Sequence, residues 1–454
     1  MHRYLAAAAV AVSVLVAPVA QAESLTDAFI AAYRNSNLLD KQEATLRAAD
    51  EDVAQAMATL RPVVDYTVTS GYSRGQNTAN GPFVDGFRTS FELSASMMLL
   101  DFGRRALRIE IQKETVLATR EALRSVEQDV LFAAVAAYVD VQVNGQIVGL
   151  RDSNVRLVTQ ELRAAQDRFE VGEITRTDVS IAEARLAAAR AGLSAAEGNL
   201  MIAREAYKAA TGAYPKRLAG LPRSPRLPKS MEAAREVALK THPLITRSQR
   251  GVTVAELNIE LAKADFKPTL SGSAAASINS LGIEEQSLGL RLNQRIYSGG
   301  SKASVLRQAI AGLDGARADL SQAGVLVAEA VGNAWAGLAV ANAQVQAGDR
   351  QIRAAQTAFD GVREEASLGA RTTLDVLNAE QELLNARVTR IEAEAQRYLG
   401  VYQVLQTMGL LTVEHLNLGI PTYDPALYYN TVKNAPVHSS QGKKLDRIME
   451  KLKK

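Results

Sequence analysis

Residues 168–190 read RFEVGEITRTDVSIAEARLAAAR, and residues 365–387 read EASLGARTTLDVLNAEQELLNAR. Nine of the 23 positions are identical at an offset of 197, among them the pairs Gly172 and Gly369, Thr175 and Thr372, Asp178 and Asp375, and Arg190 and Arg387. Outward from this match the same offset aligns Leu99–Gly212 with Ile296–Gly409, 114 residues without a gap. Upstream, 25–62 aligns with 231–268 at an offset of 206, so the only length difference falls between 62 and 99. One register held this long marks a duplication. The first repeat is 23–212 and the second 231–410, joined by a linker at 213–230 that contains Pro215, Pro222, Pro225 and Pro228.

Each repeat changes period once. From Arg104 to Val171 there is no Pro, and Ile109, Val116, Leu123, Val130 and Ala137 recur every seven residues; Leu306, Leu313, Leu320, Val327 and Ala334 repeat this in the second copy. That is a coiled-coil seam, and it predicts long helices over 104–171 and 301–368. At 1.5 Å per residue each reaches about 100 Å. The shorter helical segments 26–60 and 174–211, laid end to end, match that length. Between the helices the pattern alternates. Val64, Tyr66, Val68 and Tyr72 are interleaved with Asp65, Thr67, Thr69 and Ser73, and Phe91, Leu93, Ala95 and Met97 with Glu92, Ser94 and Ser96. Strands are predicted at about 63–74 and 87–100, with a turn over Gly75–Gly86, and at about 269–279 and 287–297 in the second copy. Four such strands fit either a membrane barrel wall with a wet interior or a half-buried sheet on a soluble domain. In the barrel reading Leu290 faces lipid and Arg291 the lumen.

Composition narrows the function. Ala occupies 76 of 454 positions and aromatics only 5%, which favours closely packed helices over a thick core. The net charge of +3 is too mixed in sign for a nucleic-acid footprint. With no Cys and only four scattered His, thiolate metal sites, Cys nucleophiles and paired imidazoles are excluded. Ser298-Gly299-Gly300-Ser301-Lys302 lacks the earlier Gly of a phosphate loop. Gly103, Gly299 and Gly300 serve better as hinges where strand passes to helix. No cofactor is expected, and the chain does not read as an enzyme. Met1–Ala22 has a basic start, an apolar run and an Ala20-Gln21-Ala22 site, the pattern of a secretory signal peptide. No later run of 18 apolar residues is found. The C-terminal extension 411–454 ends in a basic tail in which Leu445, Ile448, Met449 and Leu452 form one helical stripe. It is either solvated or docked as a short amphipathic helix, and deleting 439–454 should leave assembly intact.

The two hairpin motifs, Val171–Val179 and Leu368–Glu380, resemble the paired helix hairpins of the TolC family of outer-membrane export channels. Leu100–Arg105 and Ile296–Gly300 resemble that family's strand-to-helix junctions, and the likeness covers about 25–410. The resemblance implies a mainly α fold with a membrane β-barrel portion: a homotrimer whose four strands per chain make a 12-stranded barrel, continued by an α-helical coiled-coil tunnel across the periplasm. It implies a passive duct in outer-membrane lipid, docked by a periplasmic adaptor (membrane fusion) protein and an inner-membrane ABC or resistance-nodulation-division transporter. Glu23, where many drug-efflux members carry a lipidated Cys, resembles the type I protein secretion branch; multidrug efflux is the alternative. A periplasmic coiled-coil adaptor or scaffold is the competing class, but it would not carry two copies each with its own strand pair.

By the same resemblance Thr177, Asp178, Arg371 and Asp375 form a periplasmic gate next to the hairpin turns Gly172 and Gly369. In the family a carboxylate of one hairpin pairs with an Arg of the other, and Asp rings line the constriction. Two positions depart from the pattern: the second ring position is Asn378, and a Tyr used by the family is Ala366 here. From the residues alone, Asp178 and Asp375 are first explained as charges favoured by helix N-terminal dipoles, with a role in a pore mouth as the sharper alternative.

Overall fold

The computed structural model describes residues 22–76, 83–280 and 282–433. The expected signal peptide, except Ala22, and the basic tail 439–454 lie outside the described residues. In chain order the first repeat contains α1 (Leu25–Arg34), α2 (Asn37–Ala58), β1 (Val63–Gln76), β2 (Phe83–Leu100), α3 (Arg104–Glu170) and α4 (Arg176–Thr211). The second contains α5 (Met231–Thr241), α6 (Pro243–Ala264), β3 (Thr269–Asn279), β4 (Glu284–Asn293), α7 (Ser301–Ser367) and α8 (Thr373–Thr407), followed by α9 (Pro425–Val432). Helices α3 and α7 each have 67 residues.

Three details differ from the sequence reading. The segment 26–60 is broken, because Ser36 accepts a hydrogen bond from the Leu39 amide and starts α2 as a separate helix; in the second copy Pro243 makes the corresponding break at the start of α6. The first hairpin runs deeper into the expected turn, its ladder continuing to Gln76 opposite Phe83. Backbone pairing needs no apolar alternation, and Tyr72 pins this end by donating to Asp85 at 2.8 Å and packing edge-on against Phe87. Strand β4 spans Glu284–Asn293 rather than 287–297. Its partner β3 starts just after Pro268, so Asn293 is the last residue with a ladder partner, and the Gln294 amide turns to the Phe266 carbonyl at 2.9 Å. Two 18-residue windows, in α3 and α7, also meet the length and composition of a membrane span, with mean hydropathy 1.3 and 1.5. A core helix of a soluble domain meets the same length and composition.

The four strands form one antiparallel sheet in the order β1-β2-β3-β4. Its register separates the faces. On one, Tyr66 opposes Leu93, Leu93 opposes Ala276, and Gly272 opposes Leu290; on the other, Thr67 opposes Glu92, Glu92 opposes Ser277, and Ser271 opposes Arg291. The apolar face is bare, with Leu288 89% and Leu290 73% exposed.

The helices and sheet divide into two compact units. One holds the sheet with Ser36–Phe132, Pro225–Gln344 and the chain from Gln396 onward. In it Leu46, Val53 and Val116 form a core on which Tyr423 and Tyr429 pack. The other contains Ala133–Ser224, Val345–Ala395 and the described part of Met1–Asn35. Its buried Tyr138 and Tyr207 bind Glu23, through the Glu23 carbonyl at 3.0 Å and its carboxylate at 2.7 Å. The duplication is visible in each unit as an equivalent tie. Asn35 donates to the Thr211 carbonyl at 2.7 Å in one, and Thr241 to the Met408 carbonyl at 2.6 Å in the other. Both carbonyls are helix-end groups left without an intrahelical partner.

Candidate functional site

The quoted motifs build two hairpin tips of the same construction. In the first, α3 ends at Gly172, whose φ of +81° lies in the left-handed region, and the Glu173 amide returns to the Arg168 carbonyl at 2.9 Å. In the second, Gly369 has φ +76° and the Ala370 amide returns to the Glu365 carbonyl at 2.9 Å. The following helix is started by a reciprocal pair. The Thr175 amide and hydroxyl donate to Asp178 at 2.9 and 2.7 Å, while the Asp178 amide donates back to the Thr175 hydroxyl at 3.3 Å. Thr372 and Asp375 repeat this at 3.0, 2.9 and 3.3 Å. These hydrogen bonds, from the hydroxyl first for Asp178 and from the amide first for Asp375, hold both carboxyl groups below the usual range. Within one chain both aspartates therefore cap helices.

Arg371 pairs inside its own hairpin, its Nε 2.8 Å from Glu365 Oε2 with both side chains about half exposed. It is not brought to Thr177 or Asp178 within the chain, and Thr177 is exposed. Asn378, standing at the expected second ring position, accepts from Arg185 of α4 at 2.7 Å and links the two hairpins. Ala366 is buried against Phe359 and Val376. At the strand-to-helix junctions Gly103, Gly299 and Gly300 all have positive φ, as does Phe102 at +54°. Asp101 braces the first junction, accepting from the Gly103 and Arg105 amides and from the Arg105 side chain.

One pair escaped the sequence reading. Glu380, 5% exposed, accepts from Asn154 Nδ2 of α3 at 2.6 Å. Burial pushes its carboxyl up to about 7, with Glu161 adding in the same direction and the Asn154 bond opposing. The signal was available: Val376, Leu377, Glu380, Leu383 and Leu384 share one helical stripe, and Glu380 is its only polar member. Among the described residues no group of three or more His, Cys, Asp or Glu is placed to hold a metal.

A two-faced sheet strip continued by long helices that pair into capped hairpins is the subunit architecture of an outer-membrane channel. The chain belongs to the outer membrane efflux protein family, whose model matches residues 31–213 and 234–410, one block on each repeat. It is 35% identical over 439 residues to the outer membrane efflux protein BepC of Brucella suis, covering 95% of each chain. It is 26% identical to the proteases secretion protein PrtF of Dickeya chrysanthemi, covering 87% of this chain and 90% of that one. A crystal structure of CusC shares the fold, with a TM-score of 0.76 over 86% of this chain and 92% of that one at 20% identity. The protein is thus an outer-membrane export channel component, and the TolC-like resemblance of its hairpins extends over the whole fold.

Proposed function

We propose that the protein is a passive, homotrimeric export duct, without enzymatic activity, for type I protein secretion, fed by an inner-membrane ABC transporter through a periplasmic adaptor. The observation that carries the trimeric duct is the sheet, and the secretion reading is supported by the 26% identity to a relative named for protease secretion. The sheet has one apolar and one polar face, yet β1 and β4 each leave an unpaired edge. In lipid such edges must be closed, and three copies of a four-stranded strip close a barrel of ordinary size. The exposed apolar tips Val171 and Leu368, 72% and 77% accessible, supply contact surface for the adaptor. A signal peptide ending at Ala22 directs the chain out of the cytoplasm in this reading. Drug efflux, through a resistance-nodulation-division transporter, is the second reading, favoured by the 35% identity to a relative named for efflux. A deletion strain separates the two: loss of specific proteins from the culture medium supports secretion, whereas drug hypersensitivity with an unchanged secreted proteome supports efflux.

In the trimer, Thr177, Asp178, Arg371 and Asp375 are proposed to ring the periplasmic mouth. Arg371→Ala should raise single-channel conductance and Asp375→Asn should weaken block by multivalent cations. Glu365→Gln is the control. If it reproduces the Arg371→Ala conductance, the arginine acts only within its own hairpin; if both variants conduct as the parent does and cation block is unchanged, the four residues have no gating role.

A further inference from the structure

The two ends of the sheet differ in charge. At the helix end, the strand-to-helix junctions with one adjoining helical turn each, 54–62, 101–108, 260–268 and 294–305, hold eight Lys and Arg against three acids, Asp101, Glu260 and Asp265. At the far end, 73–90 and 277–287 hold two Arg against three acids. Part of the helix-end charge is committed locally: Arg105 pairs with Asp101 at 2.8 Å, Arg104 with Asp265 at 3.3 Å and Lys263 with Glu260 at 2.7 Å. Arg61, Lys267 and Arg295 are exposed at this end. So are Phe102 and Phe266, whose ring centres lie 5.8 Å from Lys267 Nζ and 5.9 Å from Lys302 Nζ respectively. Aromatic rings beside cations are the side chains that settle at a lipid-water interface. The 11 residues of β3 reach about 36 Å, or about 25 Å of height at a barrel strand's tilt, which is the apolar band of an outer-membrane wall.

Next to this belt the apolar face is not flat. A groove of about 590 Å³ lies over β3, floored by Gly272 and Ala274 and walled by Leu99 on β2 and by Leu288 and Leu290 on β4. Pro62, the residue after Arg61, also borders it. A Cβ at position 272 would stand 3.2 Å from Leu99 Cδ1 and 3.7 Å from Leu290 Cδ2, so glycine keeps the floor low between two leucines. The walls stand on the strands either side of β3, about 10 Å apart backbone to backbone, which leaves a slot one hydrocarbon chain wide.

We propose that the groove and the cations beside it bind one anionic diacyl phospholipid of the periplasmic leaflet per chain, with an acyl chain along β3 and the phosphate at Arg61 and Lys267. This rests on the reading of the apolar face as the lipid-facing wall of a barrel. The excess of Lys and Arg at the helix end selects an anionic headgroup, and the far end, with its excess of acids, offers no such match.

The test uses full-length protein in phosphatidylcholine vesicles carrying a minor fraction of phosphatidylglycerol with a diazirine on one acyl chain, photolysed and mapped as peptides. Label should concentrate on Leu99, Ala274 and Leu290 at least about fivefold over Phe87 on the same face, and should fall about fivefold when the diazirine is carried by phosphatidylcholine. Ala274→Phe fills the groove while keeping its face apolar; it should cut the groove label several-fold and leave Phe87 labelled as before. Arg61→Gln with Lys267→Gln should remove the preference for phosphatidylglycerol and leave phosphatidylcholine labelling unchanged. That pair lies outside the strands, so it decides the matter if Ala274→Phe fails to assemble. Even labelling across the apolar face, equal labelling by the two headgroups, a preference that survives the double variant, or displacement by lipopolysaccharide but not by unlabelled phosphatidylglycerol would each overturn the site. Label on the polar face alone would overturn the lipid-facing reading on which the site rests.

Discussion

The two hairpin tips and the two middle segments are products of the same duplication, and only the tips have stayed alike. Thr175–Asp178 and Thr372–Asp375 match bond for bond. In the middle, Asp50 is fully buried while its counterpart Glu256 is half exposed. A tip satisfies its own backbone groups from residues three positions apart, so duplicated sequence reproduces duplicated structure. The middle depends on what covers it, and the strap that carries Tyr423 and Tyr429 comes from a single C-terminal extension that was not duplicated.

The sheet offers the most severe comparison. Leu290 and Leu93 both lie on the apolar face, one on the edge strand β4 and one on the interior strand β2. A charge on the lipid face near the midplane costs about 2 to 4 kcal/mol, three times over in a trimer. Leu290→Arg and Leu93→Arg should therefore both abolish trimer recovery from outer membranes, while Arg291→Leu on the opposite face should leave the trimer assembled with altered ion selectivity. Equal trimer yields from Leu290→Arg and Arg291→Leu would overturn the assignment of the two faces.

The buried acid comes next. Burial raises the Asp50 carboxyl to about 6, with Arg120 opposing and Glu51 adding. Since this lies above the ordinary carboxylate value, the folded state prefers neutral Asp50. The contribution is fully present below about pH 4 and is lost as pH rises through about 6, amounting to up to about 3 kcal/mol. Proteolysis of the strap should therefore accelerate between about pH 4 and 6 in the parent and level off above that, and Asp50→Asn should flatten the profile, whereas Glu256→Gln at the exposed equivalent should leave it unchanged. Glu380 provides a milder version in the hairpins. Glu380→Gln keeps an acceptor for Asn154 while removing the charge, so it should slow amide exchange around Asn154 above about pH 7, and the exposed Glu183→Gln should not.

The smallest effects fall on the matched tips. Thr175→Ala and Thr372→Ala each remove a helix cap worth about 1 kcal/mol. Equal gains in amide exchange in the first turns of α4 and α8 would confirm that the tips are equivalent; a large difference would show that one tip relies on contacts the other lacks.

Periodicity made the repeats, both long helices and the strand pairs legible, because heptads and alternation are local properties. Strand ends were less so, since Asn293 stops the ladder only because β3 begins after Pro268. The hairpin glycines were readable as turns. The partner of Arg371 was not, because Glu365 reaches it across the turn from six residues upstream. The stripe Val376, Leu377, Glu380, Leu383 and Leu384 marks Glu380 as a buried acid, but its partner Asn154 was not legible, because it arrives from a different helix 226 residues earlier.

The capped tips have a mechanical consequence. With its glycine turn hydrogen-bonded back to the preceding helix and its threonine and aspartate closed on each other, neither tip has slack to unwind. Each is a stiff elbow that transmits displacement along its two helices. Across the seam between the hairpins the polar ties include Arg185 to Asn378, Asn154 to Glu380 and Arg363 to Glu161. One of those ties contains Glu380, whose carboxyl burial pushes up to about 7, so among the described residues the bond from Asn154 is the seam's one contact that meets a half-ionised acid near neutral pH.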